Sequence, residues 1–295
     1  MLQTKTIKNT RALVWDKLCA YWTLVKSLQT GLLVLTGLAG YMSGRPAATW
    51  EQIIGLLGSL FLAVSGSTVL NMVIDRDIDA QMARTAQRPL PAGHIGVEEG
   101  LVLGVGMALC GTAWAGHIAP LYGLVVCTGL LFDVVIYTLW LKRRTPWSII
   151  WGGIAGGMPV LAGRVLAVGH IDAVGLWLVL AVLLWIPTHI MTFSIKYAQD
   201  YQKAGVPVFP NTYGVPATRL IIGLSTGSAV VVMLWAMYIL NLNTTLMWIA
   251  RGLGGLLFGF TVIAMGHTTS RLTYLLYKLA SLYMLGSMLV LILGA

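Results

Sequence analysis

Residues 51–79 read EQIIGLLGSLFLAVSGSTVLNMVIDRDID. No charged residue occurs from Gln52 to Ile74, and then three carboxylates, Asp75, Asp77 and Asp79, arrive within five positions. A helix rises about 1.5 Å per residue, so the uncharged run is long enough to cross a hydrocarbon core about 30 Å thick. It reads as a membrane span whose acids sit where the span meets water.

The rest of the chain agrees. Of its 295 residues, 57% are hydrophobic and only 10% charged, with a mean hydropathy of +0.81. A soluble domain carries about 25% charged residues and a disordered one has low hydrophobicity, so both classes are excluded. Nine apolar runs are long enough to span: 22–43, 51–73, 97–116, 120–141, 148–169, 173–195, 216–240, 246–266 and 273–295. Barrel strands would be about half that length and alternating. The expectation is an all-α polytopic membrane protein, a nine-helix bundle, with a basic N-terminal arm over 1–20 and one transmembrane domain over 21–295. Trp22, Trp50, Trp147, Trp177 and Trp248 fall near the ends of runs, as interfacial belts do.

Sixteen of nineteen lysines and arginines fall on one side of this topology, and only Arg45, Arg164 and Arg251 on the other. The positive-inside bias puts the N-terminus, with Lys5, Lys8 and Arg11, in the cytoplasm of a cell membrane. The net charge of +9 then reflects loops facing anionic lipid rather than nucleic acid. Cys19, Cys110 and Cys127 match neither a disulfide framework nor a zinc site. The pairs Gly40/Gly44, Gly152/Gly156 and Gly153/Gly157 have the small-xxx-small spacing of close helix packing.

Steps of four keep Asn71, Asp75 and Asp79 on one helix stripe, with Asp77 turned away. Carboxylate and amide oxygens, few in number, suit Mg²⁺ that also binds phosphate oxygens. A solvated helix end pairing with Arg76 and Arg84 fits the same acids. Beyond them, Arg84 and Arg88 stand one turn apart, and guanidinium forks bind phosphates in two-pronged fashion. Acids for a metal followed by arginines for an anion are what a Mg-diphosphate site requires. Pro89 and Pro91 are expected to end the helix and turn the loop over the site. A second polar loop carries Lys196, Asp200 and Ala204 at i, i+4 and i+8, beside Tyr197 and Tyr201. It fits a second metal position, and equally a surface i, i+4 salt bridge. The two loops follow spans two and six, which hints at a pseudo-repeat.

Taken together, these stretches resemble the UbiA-type intramembrane prenyltransferases, and within them the branch that farnesylates protoheme IX. The carrying motifs are NMVIDRDIDAQMARTAQRP (71–89), YTLWLKRRTP (137–146), GGIAGGMP (152–159), WIPTH (185–189), DYQKAGVPVFP (200–210) and LVKS (24–27). The resemblance implies transfer of farnesyl from farnesyl diphosphate to a vinyl group of heme b, giving heme O after capture of one water. It implies Asn71, Asp75, Asp79 and Asp200 on Mg²⁺, with Asp75, Asp79, Asp200 and Arg84 in the catalytic roles. Lys26, Arg84, Arg88, Lys142 and Lys196 would meet phosphate oxygens, and the aromatic face of Tyr137, Tyr197 or Tyr201 would stabilise a carbocation. His189, ionisable near a span interior, is either an acceptor contact or a packing histidine. The pattern departs at Ala204, Arg164, Thr188 and Phe193–Ile195, changes expected around the acceptor pocket. Asp133 has no counterpart, and pairing with Arg143 or Arg144 is expected of it. A relative acting on an aromatic quinone or lipid precursor, and more remotely a secondary transporter, are the competing readings.

Overall fold

A computed structural model describes residues 15–45, 47–266 and 269–294. The basic positions Lys5, Lys8 and Arg11 lie outside the described residues. Every regular element among those described is a helix. The elements are α1 (Trp15–Leu24), α2 (Ser27–Met42), α3 (Trp50–Ile74), α4 (Arg76–Gln81), α5 (Val97–Ile118) and α6 (Pro120–Leu130). A π-helix, Leu131–Leu141, continues α6. Then come α7 (Ser148–Val168), α8 (Ala173–Lys196), α9 (Ala198–Lys203), α10 (Phe209–Ile239), α11 (Thr244–Gly266) and α12 (Ser270–Leu293). Among the described residues, eight helices are long and apolar enough to cross a membrane, and nine if α1 and α2, bent by 47°, count as one span.

Local chemistry sets the ends. Thr49 accepts from Gln52 N at 3.3 Å and Gln52 reaches back, a capping box that starts α3. Asp172 accepts from Gly175 N at 2.8 Å to start α8, and Pro120 opens α6 without a wasted donor. The seventh span begins at Phe209, not 216 as the sequence reading placed it. Gly214, at φ 83° and ψ 160°, bends α10 just before Pro216, a conformation open to glycine. Polar residues around that bend hid the first two turns from a hydropathy reading.

The packing order closes a ring. α3 lies on α5, α5 on α6, α6 on α7, and α7 on both α2 and α8, while α12 bridges α8 and α2. At the α2–α7 crossing, a Cβ on Gly40 would run into the Val160 backbone, and one on Gly163 into the Gly37 carbonyl. Glycine lets these backbones touch. Of the positions expected around an acceptor pocket, Ser194 lines the larger interior cavity, whereas Arg164 and Thr188 line neither of the two cavities described below and serve this framework instead. Arg164 bonds Asp172 through Nη2 at 2.6 Å and donates to the Ser43 carbonyl, so α2, α7 and α8 are tied at one end. Thr188 shares a 2.7 Å hydrogen bond with Thr226, joining α8 to α10.

Candidate active site

Span two ends on the acid cluster, and the chain breaks there. Asp75 leaves helical geometry (φ −87°, ψ 3°), and α4 restarts at Arg76. Hydrogen bonds nonetheless continue from Asp75 N to Asn71 O (2.9 Å) and from Asp79 N to Asp75 O (2.8 Å). The four-residue spacing therefore survives the break. Asp75 and Asp79 are buried, 4% and 5% exposed, while Asp77 faces solvent, as the stripe requires.

The cations facing these acids are not the ones nearest in sequence. Lys142 pairs with Asp75, Arg88 Nη1 bonds Asp79 Oδ2 at 2.6 Å, and Arg143 grips both Asp77 oxygens at 2.6 Å. The alternative of a solvated helix end, with Arg76 and Arg84 bridging to the acids, is not what forms among the described residues. Hydrogen bonds from Arg143 hold the Asp77 carboxyl below the usual range. Burial pushes Asp75 above it, against the pull of Lys142. Burial also opposes charge on Lys142, yet the Tyr137 oxygen and the Asp75 carboxylate keep its pKa above the ordinary lysine value. Lys26 sits at the bend of the first span, in a left-handed conformation, within electrostatic reach of Arg88, Lys142 and Asp79.

α4 stops at Gln81, well before Pro89, so the prolines shape a loop of turns rather than end the helix. That loop carries Arg84 away from the acids, to lie 4.8 Å from the Phe193 ring and 5.4 Å from that of Tyr197. The second loop repeats the architecture of the first. α8 breaks at Tyr197 (φ −109°, ψ 24°), and a six-residue helix follows. Ile78 and Met82 pack on Ala204, Val206 and Tyr201, joining the loops. No Lys196–Asp200 ion pair forms among the described residues; Lys196 Nζ lies 3.9 Å from the Tyr274 ring.

Below the loops lies an apolar cavity of about 380 Å³ among α2, the π-helix, α7, α8, α10 and α12. Lys142, Tyr137, Tyr201 and His189 line it. A smaller cavity of about 220 Å³ lies among α2, α3, α6 and α7, and the two share Leu33, Asp133, Gly152 and Gly156. His189 is stacked between Trp185 (4.7 Å) and Tyr277 (4.5 Å), with Nδ1 3.2 Å from Ser281 Oγ, so packing and a wall of the cavity are both its role. Asp133 does not pair with Arg143 or Arg144. It accepts from Ser67 Oγ and from Asn71 Nδ2, the latter at 2.8 Å. Ser67 escaped the sequence reading, although its position four residues before Asn71 extends the same stripe. Thr138, which donates toward Asn71 Oδ1, carries no comparable signal.

The donors suit Mg²⁺ in kind. Asp75 Oδ1 is buried with no hydrogen-bond partner, an orphaned anionic oxygen of the sort a cation satisfies. Among the described residues no three acidic, histidine or cysteine side chains converge on one point, so Asp200 does not join the Asp75–Asp79 pair directly.

The sequence model of the UbiA prenyltransferase family matches residues 32–290. A protoheme IX farnesyltransferase of Archaeoglobus fulgidus is 41% identical over 225 residues, which cover 76% of this chain and 79% of that protein. Two solved structures share the fold. Digeranylgeranylglyceryl phosphate synthase has a TM-score of 0.78 at 18% identity, covering 95% of this chain and 98% of that one. A UbiA homologue from Archaeoglobus fulgidus, bound to GPP and Mg²⁺, has a TM-score of 0.68 at 15% identity, covering 92% and 99%.

Proposed function

The chain belongs to the UbiA prenyltransferase family, and from this we propose that it is an intramembrane enzyme moving farnesyl from farnesyl diphosphate to a vinyl group of heme b, giving heme O. The observation that carries the reading is a buried acid pair, fringed by Lys142 and Arg88, above an apolar cavity. The relative named for protoheme IX supports the acceptor.

Mg²⁺ supplies charge neutralisation for the departing diphosphate when bound. Asn71, Asp75 and Asp79 would hold it from the span-two side. Mg²⁺ takes only one or two carboxylates beside phosphate oxygens and water, so Asp200 serves a second position from α9. Arg88, Lys142 and Lys26 give fixed positive charge to the phosphate oxygens. Arg84 and Lys196 lie over aromatic rings, and would have to turn from them to meet the same anion. As the C1–O bond breaks, its electron pair leaves with diphosphate. The vinyl π electrons form the new bond to C1, and the cation left beside the macrocycle takes a water oxygen, whose proton is lost. Tyr137 and Tyr201 offer aromatic faces to the first cation, and the apolar wall excludes stray water. We place the N-terminal side, loops and site at the cytoplasmic face of the cell membrane, where lipid surrounds the bundle and soluble diphosphate arrives.

The test is incubation of purified protein with farnesyl diphosphate, heme b and Mg²⁺, followed by mass spectrometry of the pigment. A gain of one farnesyl and one hydroxyl is expected. Unchanged heme, with diphosphate released only when an aromatic quinone precursor is present, would transfer the acceptor assignment to that class.

A further inference from the structure

Asp133 is a carboxylate inside the fourth span, on the wall shared by the two cavities. Intramembrane carboxylates are costly and face interior partners. Its partners here are specific: Oδ2 accepts from Asn71 Nδ2 at 2.8 Å and from Ser67 Oγ. The helix register makes this possible. Five residues apart on an α-helix, Asp133 and Thr138 would diverge by about 140°. In the π-helix, bonded i to i+5, Thr138 Oγ1 lies 2.8 Å from the Asp133 carbonyl and 2.8 Å from Asn71 Oδ1. Both ends of the Asn71 amide are therefore held from one segment.

We propose that Asp133 is a positioning residue, which fixes the Asn71 amide with its oxygen, not its nitrogen, as the end offered to a divalent cation. A carboxylate only accepts, so it selects the NH₂ end of the amide. The amide oxygen has two lone pairs; the single Thr138 proton, shared with the Asp133 carbonyl, engages at most one and leaves the other. The π-helix is thus a device that delivers a selector and a support to one side chain of span two. The inference rests on the prenyl-transfer reading, in which Asn71 is a ligand.

Mn²⁺ serves as the probe, titrated with farnesyl thiodiphosphate into the full chain in nanodiscs and read by electron paramagnetic resonance. Asp133→Asn lets residue 133 donate to the Asn71 oxygen and turn the nitrogen outward. Mn²⁺ binding should weaken at least about tenfold, as when a ligand's hydrogen-bonded support is lost. The paired variant Asn71→Asp with Asp133→Asn restores an amide facing a carboxylate, with oxygen at position 71. Its binding should return to within about threefold of the natural chain. Natural binding in Asp133→Asn would overturn the inference, and so would no recovery in a paired variant whose unfolding temperature equals that of the single one. If the natural chain binds no Mn²⁺, or Asp75→Asn binds it equally well, the metal assignment falls and takes this inference with it. Failure of the Asp133 variants alone leaves prenyl transfer standing.

Discussion

One oxygen of Asp75 pairs with Lys142, while the other is buried without a donor. An unpaired buried anionic oxygen costs free energy, and under the proposed function a bound cation would offset that cost. Asp75→Asn preserves size and removes the charge. Diphosphate release from farnesyl diphosphate should fall at least about a hundredfold, with helix content and unfolding temperature near the natural values. Full activity in that variant, measured by phosphate analysis, would remove Asp75 from the metal set. Asp79 is paired in the same way at its Oδ2, by Arg88, but no oxygen of Asp79 is both buried and unpartnered.

The functional elements are interrupted helices. Breaks at Asp75 and Tyr197 each follow a long span and precede a six-residue helix, so the two loops lie against one another through Ile78, Met82, Ala204 and Val206. At the other end, the Arg164–Asp172 clamp holds three helices. Burial works against the Asp172 carboxylate, but hydrogen bonds from Arg164 and Gly175 N outweigh it and hold its pKa below the ordinary value. A lowered carboxyl pKa adds stability that is present above the unfolded-state value and lost as pH falls through the folded one. Arg164→Met should therefore cost about 3 kcal/mol near neutral pH, with activity per folded molecule unchanged. The gap from the natural chain should narrow below the usual carboxylate range. Thermal unfolding in detergent at the two pH values checks this, and an equal gap at both would separate the clamp from the charge on Asp172.

For the molecule as a whole, a polar mouth is set above two apolar cavities with a common wall. Burying prenyl methylenes gains roughly 0.8 kcal/mol each, so in the proposed reaction the cavities would hold the substrate by its tail. Gly156 lines both cavities. Gly156→Phe should cut turnover about a hundredfold by obstructing them, while Mn²⁺ binding at the mouth stays within about threefold. Loss of both together, with unfolding at lower temperature, would mean that the ring closes through Gly156 instead.

The sequence by itself determined an all-helical bundle of eight or nine spans, the helix end that carries the acids, and which of Asp75, Asp77 and Asp79 turns outward. Each of these follows from hydropathy or from the four-residue helical step, physics that acts within a few turns. It missed the first two turns of α10, where Gly214 and polar neighbours interrupt the apolar signal. The tertiary structure alone decided that Lys142 meets Asp75, that Asp133 meets Asn71 rather than an arginine, that Arg84 turns to aromatic rings, and that Arg164 is a clamp. Most of those partners sit more than sixty positions apart, and where Arg164 and Asp172 are closer, the Ser43 carbonyl that completes the clamp is 121 positions away. Such contacts depend on how rigid helices dock and on a π-helical register at Leu131–Leu141, neither of which hydropathy or local spacing encodes.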